Sequence, residues 1–210
     1  MIDGERIAAV GAEICDAADR TIDCTGLCIA PGFIDAHSHN DFYIDKPHSE
    51  RYFAPFIQQG ITTQITGNCG FSPFGVATDS THKDEVGGSL FRAEKPGSFV
   101  DFLREAQGRL HVNIAPLIGH GTVRTGISGR NDPAAFTEVQ IDEMLCHVRE
   151  AMQAGAFGGS LGLMYEPGIY APRAELIAFA KEIAGHNGIL TVHPRACSKI
   201  ALDCRALPCC

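Results

Sequence analysis

Short apolar segments alternate with helical ones from about residue 30 onward, and this alternation limits the folds that the chain can adopt. Each apolar segment is bounded by turn residues, as expected of a strand buried in a parallel sheet. The predicted strands are residues 28–37, 61–67, 112–119, 157–161 and 189–193. Because strands and helices alternate, the sequence favours an α/β fold with a parallel sheet.

Three helices are predicted between these strands. The clearest follows Thr137, which forms a capping box with Gln140. Its apolar side chains recur at helical spacing: Ile141, Met144, Leu145, Val148 and Met152. The other two helices begin at Ser98 and at about residue 173. A polar loop over residues 71–96 precedes the Ser98 helix, and a loop of this length is usually functional or mobile.

The two ends of the chain do not follow this pattern. Residues 6–11 and 20–24 are predicted to form two short strands without helices, and therefore part of a separate small sheet. The last seven residues carry Cys204, Cys209 and Cys210 and show no periodicity. We expect this tail to differ in kind from the rest of the chain.

The composition excludes several classes of partner. The chain has 210 residues and 45% hydrophobic content, which predicts one domain, or one domain with a small appendage. A formal charge of -8 argues against binding to nucleic acids or anionic membranes. Because no spanning segment or secretion signal is evident, we expect a cytoplasmic protein that binds small molecules, metals or other subunits. Its nine cysteines are expected to be thiols or ligands.

Residues of metal-binding type lie at the ends of the predicted strands. His37 and His39 follow the first strand, and residues two apart on a strand point the same way. They can therefore offer two imidazoles to one cation, although surface or core histidines are common. Cys69, His120 and His193 lie at or just after the carboxyl ends of other strands, which form one rim in a (β/α) barrel.

Structural roles stay open for individual members of this group. Cys69 is flanked by glycines that allow close backbone approach to a metal, but a buried thiol is the ordinary alternative. His193 precedes a proline, and it could simply end a strand. Together, imidazole and thiolate are donors that zinc prefers, whereas magnesium and calcium prefer oxygen. The set therefore points to zinc.

Four segments of the chain resemble the metal-dependent amidohydrolase superfamily, and most closely its N-acyl-D-amino-acid deacylase, or D-aminoacylase, branch. These segments are residues 30–39, which end in His37-Ser38-His39, and residues 60–70, 119–124 and 162–171. They occur in the family's order. The resemblance covers about residues 3–203.

This resemblance implies an incomplete (β/α)8 TIM-type barrel of about five βα units, with a partial small β-sandwich at the N-terminus. It divides the chain into a sandwich segment at 1–29, a partial barrel at 30–203 and a non-native tail at 204–210. A second zinc site in the Cys-rich tail is the alternative. The zinc ligands implied by the resemblance are His37, His39, Cys69 and His193.

The resemblance also places three residues near a substrate. Arg195 would pair with a substrate carboxylate, with an exposed structural arginine as the alternative. Tyr165 and His120 fall on family motifs near the pocket, and packing roles stay open for both. All three are candidate substrate-binding residues.

The family pattern also needs a metal-binding histidine after the sixth strand and a catalytic aspartate after the eighth. We predict only five strand and helix units before residue 203, so both residues would lie beyond this chain. We therefore expect a truncated gene or an interrupted reading frame. A barrel that stops after five strands has an open edge, which predicts poor solubility or self-association.

Two functions follow from these expectations. The first is zinc-dependent hydrolysis of a small-molecule N-acyl-D-amino acid to a D-amino acid and a carboxylate, with this chain weakly active or inactive. The second is a non-catalytic zinc-binding remnant, or half of a split assembly. Amidohydrolases of the dihydroorotase, hydantoinase or isoaspartyl dipeptidase type are neighbouring alternatives. Cys69, in place of a bridging lysine, favours the deacylase branch.

Overall fold

The computed structural model describes residues 1–14, 16–88 and 90–196. The chain divides into two compact units, of which the first is Met1–Pro31 and the second begins at Gly32. The cysteine-rich tail predicted at 204–210 lies outside the described residues. The two units are called the N-terminal unit and, from Gly32 onward, the α/β unit.

The first unit contains a short antiparallel hairpin. Strand β1 (Ile2–Asp3) pairs with strand β2 (Arg6–Ile7). The strand predicted at residues 20–24 is wrong, because that segment forms no regular element. Ile7 is 75% exposed and Ile22 is 67% exposed, so neither segment has a buried apolar face that would hold a further strand in place.

The second unit is built on five parallel strands. They are β3 (Phe33–Asp35), β4 (Ile61–Thr66), β5 (Asn113–Gly119), β6 (Gly158–Gly162) and β7 (Ile189–His193). Their order in the sheet is the same as their order along the chain. The prediction of an incomplete TIM-type barrel is confirmed, since the sheet curls into a half-barrel. The first strand is shorter than the predicted segment 28–37.

Five α-helices of the described chain connect and cover these strands. They are α1 (Glu50–Ile57), α2 (Phe99–Ala106), α3 (His120–Ser128), α4 (Glu138–Gln153) and α5 (Arg173–Gly185). Capping boxes at Ser98 and Thr137 start α2 and α4, as the sequence predicts. Helices α1 and α3 were not predicted. Pro55 interrupts the helical pattern of α1, and α3 begins directly after β5 with no polar capping side chain.

The main core lies between the sheet and helices α2 to α5. Met144 of α4 and Phe179 of α5 are fully buried there, and Leu161 of β6 packs in the same cluster. The two outer strands are different, because Ile34 on β3 is 66% exposed and Val192 on β7 is 50% exposed. Within residues 1–14, 16–88 and 90–196, no helix is both long and apolar enough to cross a membrane.

Candidate metal centre

The carboxyl ends of β3 and β4 bring the first predicted ligands together. Strand β3 ends at Asp35, whose carboxylate Oδ1 accepts the backbone N–H of His37 at 3.1 Å. The backbone N–H of Ser38 donates to the carbonyl of Ile65 on β4 at 3.0 Å. These bonds fix the His-x-His segment against the neighbouring strand, so both imidazoles are held near the start of the loop after β4.

Cys69 joins the two histidines from that loop. Its Sγ lies 3.4 Å from Nε2 of His37. One ligand atom from each of His37, His39 and Cys69 falls within 4.8 Å of the others. Such a group can surround a single cation without a large movement of the backbone.

The fourth predicted ligand comes from the far strand of the sheet. His193 is the last residue of β7, and its Nδ1 lies 3.5 Å from Sγ of Cys69. The thiol is therefore next to histidines from both outer strands. The structure brings all four residues predicted as metal ligands to one edge of the half-barrel, and their role as ligands stays a prediction.

His39 has the properties of a metal ligand. Its ring stacks on Phe91, with the ring centroids 4.4 Å apart. Burial, together with the nearby charge of His37, lowers the pKa of His39 from 6.5 to about 4, so its imidazole is neutral at pH 7. Its buried Nδ1 has no hydrogen-bond partner among the described residues. A buried nitrogen without a partner is costly, and a metal ion would satisfy it.

Cys69 is 8% exposed, and burial raises the pKa of its thiol. In the protein alone it is therefore a thiol at neutral pH, and a bound cation would favour the thiolate. Two or more imidazoles and one thiolate form a donor set that suits zinc. The residues present fit a zinc ion.

Tyr165 lies beside this group. Its hydroxyl is 3.4 Å from Nδ1 of His193, and the two rings meet edge to face with centroids 4.8 Å apart. The ring also contacts Phe71 at a centroid distance of 5.4 Å. The predicted role of Tyr165 in substrate binding therefore has the required proximity, and it stays a prediction.

His120 has its contacts in the protein interior. Its side chain is fully buried at the start of α3, and its Nε2 lies 2.8 Å from Oε1 of Glu175. Arg124 donates to both oxygens of the same carboxylate, at 2.7 and 2.6 Å. Phe179 meets the His120 ring edge to face. This environment favours the packing role that the sequence left open for His120.

Arg195 binds main-chain carbonyls. Its guanidinium donates to the carbonyl of Ile169 and, at 2.6 Å, to that of Ala171. These contacts tie the end of β7 to the turn before α5, and they favour the structural alternative for Arg195. Its predicted pairing with a substrate carboxylate stays a prediction.

Several residues that shape the site were not identified from the sequence. Phe91 covers His39, and Glu175 anchors His120 and Arg124. Ser160 contacts the turn that carries Cys69. None of them belongs to a local motif. The only sequence feature that pointed to Phe91 was its position in the long loop over residues 71–96.

A parallel half-barrel with histidines and a cysteine at the carboxyl ends of its strands is the arrangement expected of a metal-dependent amidohydrolase. Comparisons with curated proteins agree. D-aminoacylase of Alcaligenes xylosoxydans xylosoxydans is 39% identical over 197 residues, covering 91% of this chain and 39% of the relative. N-acyl-D-glutamate deacylase of the same organism is 36% identical over 204 residues, covering 92% of this chain and 39% of the relative.

Solved structures give the same result. A crystal structure of D-aminoacylase matches with a TM-score of 0.63 and 34% identity, covering 79% of this chain and 34% of that one. The structure of N-acyl-D-glutamate deacylase from Bordetella bronchiseptica, complexed with zinc and a phosphonate inhibitor, matches with a TM-score of 0.64 and 32% identity. The match covers 79% of this chain and 34% of that one. No protein-family model matches the chain.

The chain belongs to the N-acyl-D-amino-acid deacylase branch of the metal-dependent amidohydrolases. It spans about two fifths of the length of the curated relatives, 39% in the case of D-aminoacylase.

Proposed function

We propose that this chain forms the metal centre of a zinc-dependent N-acyl-D-amino-acid deacylase, which hydrolyses the linear amide of an N-acyl-D-amino acid to a D-amino acid and a carboxylate. The observation that carries the proposal is the position of Cys69, whose Sγ lies 3.4 Å from His37 and 3.5 Å from His193. Relatives that are named as D-aminoacylase and N-acyl-D-glutamate deacylase support this substrate class.

The residues that would hold zinc are His37, His39, Cys69 and His193. When bound, zinc lowers the pKa of its water towards about 7 and polarises an amide carbonyl. The neutral imidazole of His39 is available at pH 7 as a donor. Phe91 excludes water from one face of that ring. The Tyr165 hydroxyl, beside His193, can donate a hydrogen bond to a bound substrate.

Amide hydrolysis also needs a base that takes a proton from water and passes it to the leaving amine. Within residues 1–14, 16–88 and 90–196, the cluster with metal-binding geometry contains no carboxylate. The family resemblance assigns the base to an aspartate after the eighth strand of the barrel. We propose that the five-stranded part alone hydrolyses the amide only weakly.

A second candidate function is a zinc-binding chain without catalysis, or one half of a split assembly. The exposed Ile34 and Val192 on the outer strands support pairing of the half-barrel with itself or with another chain. Light scattering of the purified protein tests this pairing, and a monodisperse monomer at high concentration would contradict it.

The two functions are separated by one assay. Purified protein is incubated with zinc and N-acetyl-D-methionine, and the released amino acid is compared with a metal-only blank. N-acetyl-L-methionine serves as the stereochemical control. Release from the D substrate well above the blank supports the deacylase and excludes the non-catalytic function. Zinc binding without release supports the non-catalytic function.

A further inference from the structure

We infer that Ser160 is a positioning residue, whose hydroxyl holds the turn that carries Cys69 so that the thiol faces the histidines. Ser160 is fully buried in β6, a strand that supplies none of the predicted ligands. The inference deepens the proposed function, because it rests on Cys69 being part of the metal centre.

The turn that carries Cys69 has an unusual backbone. Cys69 has a φ of 57°, in the left-handed region that residues with a Cβ seldom adopt. Gly67 and Gly70, on either side, have φ values of 74° and 76°. The two glycines adopt positive φ without steric cost, but Cys69 does not. Its backbone conformation therefore persists only where tertiary contacts hold the turn.

Ser160 supplies contacts to both ends of this turn. Its Oγ accepts the backbone N–H of Gly70 at 2.9 Å. The same hydroxyl donates to the carbonyl of Gly67. One buried side chain therefore satisfies a donor and an acceptor that flank Cys69. Removal of the hydroxyl would leave both main-chain groups buried without these bonds.

The neighbourhood leaves little room for an alternative conformation. A Cβ on Gly162, two residues after Ser160, would lie 1.8 Å from the carbonyl oxygen of Cys69. Ser160 also pairs in register with Thr191, whose hydroxyl donates to the Asn68 side chain at 3.0 Å. Residues on β6 and β7 thus hydrogen-bond to the turn, and β7 also ends in His193.

The test measures access to the Cys69 thiol in metal-free protein, so it does not depend on zinc or on activity. Alkylation of Cys69 by iodoacetamide is followed by peptide mass spectrometry, with the exposed Cys146 as an internal reference. In Ser160→Ala we expect Cys69 to react about tenfold faster while Cys146 is unchanged.

Two further variants make the test specific. Ser72 is also fully buried and its hydroxyl also makes two main-chain hydrogen bonds, to Gly119 and Phe74, but none to the turn residues 67–70. Ser72→Ala should therefore leave the Cys69 rate within about threefold of wild type. Ser160→Thr keeps a hydroxyl and should also keep the slow rate. Equal Cys69 rates in Ser160→Ala and Ser72→Ala, or a fast rate in Ser160→Thr, would overturn the inference.

A cobalt(II) titration of the same proteins separates the two proposals. In wild type, a thiolate-to-cobalt absorption band that is lost in Cys69→Ser would report Cys69 as a ligand. Ser160→Ala should weaken cobalt binding by about 10- to 100-fold, as loss of a group that orients a ligand does. If wild type lacks the band, the proposed metal centre is wrong, and the alkylation rates still decide the role of Ser160.

Discussion

Sγ of Cys69 lies 3.4 Å from Nε2 of His37, although the two residues are 32 positions apart in the chain. The contact follows from the pairing of β3 with β4. These strands run parallel, and Asp35 at the end of β3 pairs with Gln64 near the end of β4. The residues that follow each strand therefore emerge at the same edge of the sheet.

Replacement of Cys69 tests this contact directly. We expect Cys69→Ser to remove the thiolate-to-cobalt absorption band and to weaken zinc binding by about tenfold or more, because a hydroxyl is a poor substitute for a thiolate. The measurement is a cobalt titration followed by competition with zinc. Cys146→Ser, at an exposed cysteine, is the matched control and should bind both metals as wild type does. An unchanged cobalt band in Cys69→Ser would exclude Cys69 as a ligand.

Gly162 offers a steric test of the same site. Because an added methyl group would lie 1.8 Å from the Cys69 carbonyl oxygen, Gly162→Ala should displace the turn. We expect weaker metal binding and a loss of about 2 kcal/mol in the free energy of unfolding, measured in urea. At Gly185, the last residue of α5, an added Cβ meets nothing within 4 Å.

Gly185→Ala is therefore the matched control for this substitution. It should leave metal binding unchanged and raise the free energy of unfolding by up to about 1 kcal/mol. Wild-type cobalt affinity in Gly162→Ala would show that the turn tolerates displacement.

The buried Glu175 should contribute strongly to stability. Burial alone would raise the pKa of Glu175, but the hydrogen bonds and charges of His120 and Arg124 outweigh it and hold that pKa below its ordinary value. Glu175→Gln leaves the Arg124 charge buried without its counter-ion. We expect a loss of about 3 kcal/mol or more in the free energy of unfolding.

Glu182, on the same helix, provides the comparison. It makes a surface ion pair with Arg149 at 3.0 Å. Glu182→Gln should lower the free energy of unfolding by less than about 1 kcal/mol, since surface pairs are screened by solvent. Urea unfolding at pH 7 measures both variants. Equal losses would show that the interior network is no stronger than a surface pair.

The lowered pKa of His39 predicts a pH dependence of stability in metal-free protein. The unfolded chain takes up a proton on His39 near pH 6.5, whereas the folded protein does so only near pH 4. Between these values the unfolded state binds more protons, so lowering the pH favours unfolding. We expect the free energy of unfolding to fall by up to about 2 kcal/mol from pH 7 to pH 5.

This contribution can be isolated by substitution. His39→Gln should show a shallower loss between pH 7 and pH 5 in urea titrations with a chelator present. His48→Gln, at an exposed histidine, controls for the removal of a histidine and should keep the wild-type dependence. An unchanged slope in His39→Gln would mean that another group causes the effect.

Much of the α/β unit was predictable, because its signals are local. Apolar segments bounded by turn residues located β4 to β7 closely, and capping boxes marked the starts of α2 and α4. Helix α3 was missed because its residues, rich in glycine and threonine, have low helix propensity, and packing against β5, β6 and α4 stabilises it. The prediction of a strand at 20–24 was wrong, because strand propensity alone does not stabilise a strand whose apolar side chains are exposed.

The candidate metal ligands were also predictable from the sequence, whereas the residues that pack around the site were not. His37 and His39 follow from the spacing of two, and Cys69 and His193 from their positions after strands. Ser160, Phe91 and Glu175 have no pattern of their own, because each acts through a residue far away in the chain.

The sequence by itself determined which segments become strands and helices, and which ends of strands carry imidazole and thiol groups, because those properties depend on residues a few positions apart. Only the tertiary structure decided that His193 meets Cys69, that His120 is buried against Glu175, and that a hydroxyl on β6 holds the Cys69 turn. The physical reason is that these contacts depend on the order and register of parallel strands. Strand order and register are set by the packing of the whole sheet and its helices, which no local stretch of sequence encodes.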